Sequence, residues 1–340
     1  MSRSDTVGIV GAGRFGTALG SVLARANRRV LVWSRDADVV RAIETTRSCP
    51  RLPDAPLPAL LEVTTDPRRL ASEARLLVMA VSSTNVRERA RELGDYIDGS
   101  HIVVHAIGAL ASPNNEPHSS ASADSLHIGR VSEVMQQGLP TLKIGVIAGP
   151  ALPVDLALGE FSSMVVASAF DEVVAEARRL LNAPPALRVY GSKDLVGVEL
   201  ASALAGAYSV ALGLCDGLGM GAGPRAVLIT RVVAEASRLG AAGGAQARTF
   251  AGLAGLGNLL VRASDRSADY QLGRRLADGV VSADNHRTEG ARAALAGADL
   301  ARQLHVRMPV LEGVAAVLAG KAEPREAAAL IGETVAFAEE

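Results

Sequence analysis

The sequence predicts an α/β protein whose first half is a parallel sheet covered by helices on both faces and whose second half is all-helical. Three observations predict it. Short β-rich runs alternate with amphipathic helical patterns up to about residue 190, as a doubly wound sheet requires. A glycine-rich turn, Gly11-Ala-Gly-Arg-Phe-Gly16, stands between the first of those runs and a helical segment, in the GxGxxG spacing of a Rossmann-type dinucleotide site. Beyond Tyr190-Gly191 the strand signals nearly vanish and helical periodicity punctuated by glycine takes over.

In chain order, Thr6–Val10, Val30–Trp33, Leu76–Val81, Ile102–His105, Ile144–Ile147 and Met164–Ala167 read as strands, with helices between them. Continuous apolar runs such as Leu76–Val81 fit strands buried on both faces. The connection Cys49–Pro58 is proline-rich, and Ala111–Asp124, with Ser, Asn, Ala, two prolines and His118, is expected to be a helix-free loop. Helical periodicity then runs through Asp194–Leu214, Pro224–Leu239, Arg287–Leu304 and Pro309–Leu318. The uncharged stretch Leu200–Cys215 is shorter than the roughly 20 residues that span a bilayer, and its Ala, Gly and Ser content fits a helix packed inside protein. The expected domains are 1–190, dinucleotide-binding, and 191–340, all-helical, for substrate and dimerisation.

A chain of 340 residues with 49% hydrophobic and 21% charged side chains is long and apolar enough for about two cored domains. Its net charge of -1 and 3% aromatic content argue against nucleic acid or a membrane surface as partner. Cys49 and Cys215 are too far apart to read as a disulfide framework or a zinc site. Met1–Asp5 is polar and lacks the apolar core of a signal peptide, so a reducing cytoplasm is the expected compartment. No cluster has metal-ligand spacing, and no metal is expected.

Within the glycine turn each glycine has a reason. Gly11 permits the tight turn, Gly13 lets backbone approach a pyrophosphate, and Gly16 lets the helix pack against the strand, while the helix start, from Arg14 and Phe15 onward, offers N–H groups to the anion. The second strand ends at Trp33-Ser34-Arg35-Asp36, where an acidic side chain ordinarily holds the ribose hydroxyls of NAD. With Ser34 and Arg35 there instead, a guanidinium would stack on adenine or pair with the extra phosphate of NADP. NAD and NADP are both open as cofactor, and an exposed arginine without a role is the alternative for Arg35.

Further along, Leu52-Pro-Asp-Ala-Pro-Leu-Pro58, Gly149-Pro150, Gly197-Val-Glu-Leu200, Asp216-Gly-Leu-Gly-Met-Gly221, Leu228-Ile-Thr-Arg231, Glu235-Ala-Ser-Arg-Leu-Gly240 and Ala254-Gly-Leu-Gly257 join Val10-Gly-Ala-Gly-Arg-Phe-Gly-Thr-Ala-Leu19. Together they cover nearly the whole chain, which resembles the bacterial NAD(P)-dependent glycerol-3-phosphate dehydrogenases, enzymes that reduce dihydroxyacetone phosphate. The resemblance implies a Rossmann-type domain, a helical substrate domain, a small-molecule ligand in a cleft between them, and commonly a homodimer.

The same resemblance shows departures. The acid/base lysine of the family's Ala-Val-Lys-Asn stretch falls on Ala205, and its second lysine, in Thr-Lys-Gly, falls on Gly108. An aspartate after Gly-Leu-Gly is replaced by Asn258, the phosphate-binding Ser-Arg-Asn by Ser267-Ala268-Asp269, a cofactor-contacting glutamate by Ala283, and Gly-Pro-Thr by Gly149-Pro150-Ala151. Asp269 would set a carboxylate beside a substrate dianion unless Arg262 or Arg266 swings in. The lysines are Lys143, Lys193 and Lys321, none at a family lysine position.

His105, closing a strand at the sheet's carboxyl edge, is the candidate catalytic residue, with a backbone-bonded core histidine as the alternative. His286 and Arg287, which the resemblance sets near the cleft side of the second domain, are no better candidates than His105, and Cys215 beside Asp216 reads as a small hydrophobe rather than a nucleophile. The sequence therefore points to an NAD(P)-binding relative of these dehydrogenases with the ordinary reduction lost. The alternative is an active oxidoreductase, either the parent dehydrogenase with relocated residues or one with a changed, non-phosphorylated substrate.

Overall fold

The computed structural model describes residues 5–111, 129–279 and 287–333. The chain divides into two compact units, with residues up to Ile107 and Val131–Leu195 in the first. Gly108–Ala111, Gly129–Arg130 and the chain from Val196 belong to the second. The boundary expected after residue 190 thus falls at Leu195, and a short piece of the earlier chain joins the second unit.

The first unit is built on eight strands: β1 (Thr6–Val10), β2 (Arg29–Trp33), β3 (Leu61–Thr64), β4 (Leu76–Met79), β5 (Ile102–His105), β6 (Ile144–Ala148), β7 (Ser162–Ala167) and β8 (Leu187–Ser192). They lie in the order β3-β2-β1-β4-β5-β6-β7-β8, whose first six positions are the strand order of dinucleotide-binding sheets. All residues of β1, β4 and β5 are buried, as their apolar runs require. The sheet is not wholly parallel as expected, because β6 and β7 pair antiparallel, Ile147 opposite Val166. Between them the chain has one helix of six residues, Pro153–Leu158, packed on α1 (Arg14–Arg25). Six helical residues rise about 9 Å, too little to carry the chain back along a strand of about 17 Å.

Cys49–Pro58, expected as a connection, carries a small antiparallel pair, Ser48–Cys49 with Leu52–Pro56. Leu110–Ala111 pairs with Gly129–Arg130 in the second unit, so Ala111, the first residue of the expected loop, ends a short strand, while the rest of that loop at 112–124 lies outside the described residues.

Beyond Ser192 every described element is helical. Leu195–Gly217 is long and apolar enough to cross a membrane, but 89% of its most apolar stretch is buried inside the fold. Ala222–Ala242 follows and supplies Glu235, whose carboxylate accepts from Val310 N at 2.8 Å and Leu311 N at 3.3 Å. It thereby satisfies the free N–H groups opening the Pro309–Leu318 helix. Tyr208 OH donates to the same carboxylate at 3.2 Å, and burial pushes the Glu235 carboxyl above its ordinary value.

Candidate functional site

The first polar centre forms where β1 ends between β2 and β4. Gly11 N donates to Trp33 O at 2.8 Å and Ala80 N donates to Val10 O at 2.9 Å, pinning the turn to both neighbours. Gly11 has φ +114°, and a Cβ there would lie 2.7 Å from Ala80 O. At Gly16 a Cβ would meet Gly11 O at 2.3 Å. Those two glycines are required by the fold. Gly13 is different, since its Cβ would have only Ala80 O within 4 Å, at 3.8 Å. It is the N-cap of α1, where no side chain caps the helix and no acidic residue occupies the first turn. Backbone N–H groups at the positive end of the helix dipole therefore open onto free space.

That space is a cleft of about 370 Å³ lined by the turn, the end of β2, and residues 80–82, 85 and 89. Gly11, Gly13, Ser34 and Arg35 line it as the sequence predicts; Arg14 is exposed, and Phe15 and Gly16 pack toward the core rather than lining it. Asp36 is not a free ribose acceptor. Its Oδ1 takes Val39 N at 3.2 Å, capping the helix Ala37–Thr46, and its Oδ2 takes Arg51 Nη2 at 3.0 Å. Ser34 Oγ accepts from Asp36 N at 3.2 Å, and Arg35 Nη1 meets Glu88 Oε1 at 2.8 Å.

Two lining guanidiniums escape the sequence reading: Arg51 and Arg89. Arg89 has a side chain only 5% exposed and its guanidinium carbon lies 5.9 Å from the centre of the Trp33 ring. Burial draws its pKa below the usual arginine value, opposed by the bond to Glu88.

The second polar centre lies wholly in the helical unit. Arg262 donates from Nε to Asn258 Oδ1 at 3.0 Å and from Nη1 to Asp269 Oδ2 at 3.1 Å. The other Asp269 oxygen accepts Gly290 N at 2.9 Å, in the first turn of Glu289–Gln303, and its side chain is only 6% exposed. Arg262 is thus the residue that neutralises Asp269. Two glycines make room for the cluster: a Cβ at Gly206 would lie 3.4 Å from Asp269 Oδ2, and one at Gly108 would lie 3.6 Å from Arg262 Nη2 and 2.9 Å from Ser202 Oγ. Gly108, Asn258 and Asp269 are therefore brought together, while Ala205 is buried one residue before Gly206 and Ser267 is buried at the start of Ala268–Ala277.

Residues 6–174 match the family described as the N-terminus of NAD-dependent glycerol-3-phosphate dehydrogenase, and residues 194–329 match its C-terminus. A glycerol-3-phosphate dehydrogenase (NAD(P)+) of Variovorax paradoxus (strain S110) is 38% identical over 330 residues, 94% of both chains. One from Desulfovibrio desulfuricans is 35% identical over 327 residues, again 94% of both. The crystal structure of glycerol-3-phosphate dehydrogenase from Coxiella burnetii superimposes with a TM-score of 0.86 at 27% identity, covering 98% of this chain and 99% of the other. The chain belongs to the NAD-dependent glycerol-3-phosphate dehydrogenase family.

For a member of that family the remaining sequence candidates are placed as follows. His105 is 0% exposed, and Ile107 N donates to its Nδ1 at 3.4 Å, the backbone-bonded arrangement. Gly149 belongs to the first unit, where a Cβ would lie 2.6 Å from Ser163 O. The close approach of β7 is reason enough for that glycine. Cys215 is buried, and burial followed by Asp216 pushes its thiol up, away from the thiolate. Lys143 pairs with Glu172 at 3.1 Å and Lys193 with Asp171 at 2.9 Å, all in the first unit. Ala283 and His286 lie outside the described residues.

Proposed function

We propose that this chain binds NAD or NADP in the cleft after β1 and has lost the ordinary reduction of dihydroxyacetone phosphate. The cofactor half rests on Gly13: an uncapped helix start faces open space at the one glycine of the turn that the surrounding protein does not require. Gly13 and the N–H groups that open α1 would hold the pyrophosphate, with Gly11 shaping the turn, and the end of β2 would hold the adenosine. The cofactor, when bound, supplies hydride chemistry, and reduction of a ketone also asks the protein for a proton at the carbonyl oxygen.

The observation that carries the loss is the closed Arg262–Asp269–Asn258 cluster. Matched to the family, Ala205 and Gly108 offer no amine. Arg262 stands against Gly108, but a guanidinium keeps its proton throughout the working pH range and this one already has acceptors in Asn258 and Asp269. Asp269, neutralised by Arg262 and a backbone N–H, leaves no surplus positive charge in this cluster for a phosphate dianion.

Following NADPH absorbance with dihydroxyacetone phosphate tests this. The wild type is expected to show no turnover, Ala205→Lys almost none, and the combination of Gly108→Lys, Ala205→Lys, Asn258→Asp, Ala268→Arg and Asp269→Asn some, because residues acting as a unit contribute non-additively. The fivefold variant is compared only after circular dichroism shows it folded and calorimetry shows it binding cofactor, since two new buried ammonium groups are costly. Wild-type turnover would overturn the reading.

A further inference from the structure

We propose that Cys49 is a positioning residue for the nucleotide turn: through Thr17 and Ala12 O it fixes the direction in which the Gly13 N–H faces the cleft. The inference deepens the cofactor reading above and rests on it. It starts from the hairpin Ser48–Cys49 with Leu52–Pro56, which opens the motif Leu52-Pro-Asp-Ala-Pro-Leu-Pro58 and which the cofactor reading leaves without a role. The hairpin reaches the cleft region twice. Arg51 lines the cleft and bonds Asp36 at 3.0 Å, while Cys49, at 0% exposure, meets the glycine turn from inside the fold. The strand pairing slips between Ser48 and Cys49, and an irregularity of this kind re-aims the side chain beside it.

Thr17 Oγ1 donates to Cys49 Sγ at 3.5 Å, and Cys49 Sγ donates to Ala12 O at 3.8 Å. The order is fixed because a carbonyl only accepts: the thiol spends its one hydrogen on Ala12 and takes Thr17 on its sulfur lone pairs. Thr17 stands in α1, where its own N–H is bonded to Gly13 O at 3.0 Å. The relay therefore ties the peptide before Gly13 to the helix by a route outside the main chain. The Ala12–Gly13 peptide is trans, so its C=O and N–H point in opposite directions. Because the Ala12 carbonyl is turned inward to Cys49, the Gly13 N–H is turned the other way, toward the cleft that Gly13 lines. That N–H is one of the donors that a helix start leaves free. Cys49 thus acts on the ligand without touching it. A thiol suits the task, since it packs as a small hydrophobe yet carries a donor, where an aliphatic side chain would leave a buried carbonyl unpaired.

Calorimetry of NAD+ and NADP+ against the folded full chain reads the proposal. Cys49→Val fills the space without a donor and should weaken both cofactors alike, by about threefold. Cys49→Ser restores donor and acceptor and should bind as the wild type does. Packing alone would not produce that rescue, because serine fills an apolar site less well than valine. Thr17→Val removes the other end of the relay and should cost about twofold. Combined with Cys49→Val it should cost no more than Cys49→Val alone, since the two act through one chain of bonds. Should Cys49→Val fail to fold, Thr17→Val decides, and wild-type affinity in that variant would sink the proposal. Valine at wild-type affinity, or serine as weak as valine, would overturn the proposal while leaving the cofactor reading intact. A wild type that binds neither cofactor would overturn both.

Discussion

At the start of α1 the protein leaves a helix N-terminus with no side-chain cap at the edge of an open cleft. In the helical unit the opposite holds: Arg262, Asn258, Asp269 and Gly290 N satisfy one another. Buried polar groups are normally paired, so the second arrangement is what a fold adopts for its own stability and the first is what it tolerates for a ligand. On the function proposed above, the nucleotide half is arranged as a receptor and the equivalent of the substrate half as a core.

The contrast is broken most severely at Gly13. Gly13→Asp places a carboxylate where the pyrophosphate has to approach, and dinucleotide affinity should fall at least about 100-fold, roughly 3 kcal/mol, by calorimetry. The nearest protein atom to the new Cβ is 3.8 Å away, so the melting temperature should hardly change. Unchanged affinity would mean that the turn no longer serves a ligand.

The helical cluster should respond in the reverse sense, through stability rather than binding. Arg262→Ala leaves the Asp269 carboxylate buried with only Gly290 N as partner, a change worth about 3 kcal/mol of destabilisation in urea unfolding. Asp269→Asn keeps an acceptor for Gly290 N and leaves its unpaired cation on the more exposed side of the pair, 27% against 6%. Its cost should be about half as large. If both variants were as stable as wild type, the cluster would not be the core that the contrast makes it.

These two regions also differ in how far the sequence reveals them. The glycine turn is local: six consecutive residues and the strand before them are enough, and the structure puts them where the spacing predicts. Long-range pairings are less visible. Arg89 sits in the charged run Arg87-Glu-Arg-Ala-Arg-Glu92, which resembles a solvated helix face, and only the packing of that helix beside Trp33 buries it. Arg262 could be named beforehand as one of two cations near Asp269, but choosing it over Arg266 needed the return of Asn258–Arg262 against Ala268–Ala277.

In the fold, six strands are legible because they are apolar and mostly buried on both faces, whereas β3 and β8 are the two edges of the sheet. Glu62, Arg188 and Tyr190 interrupt their apolar runs, and strands with one partner need no second buried face. The antiparallel direction of β7 is invisible for another reason: strand direction is set by the connection before it, not by the residues of the strand.

The smallest effect is expected at Glu235, which extends the satisfied character of the helical unit beyond its central cluster. Its carboxyl stands above the ordinary value of 4.5 because burial outweighs the bonds from Val310 N, Leu311 N and Tyr208 OH. In the unfolded chain the same group loses its proton near 4.5, so in the interval between that value and the raised one the folded protein holds a proton that the unfolded chain has released. Stability from this group is therefore fully present below 4.5, declines as pH rises through the interval, and levels off above it. Glu235→Gln removes the titration while keeping an acceptor for Val310 N. In urea titrations at a series of pH values the variant should gain on the wild type as pH rises through the interval, and the difference should then stay constant. A difference that is flat across the whole range would show that Glu235 ionises as readily inside the fold as outside it, and that the two backbone N–H groups fully offset its burial.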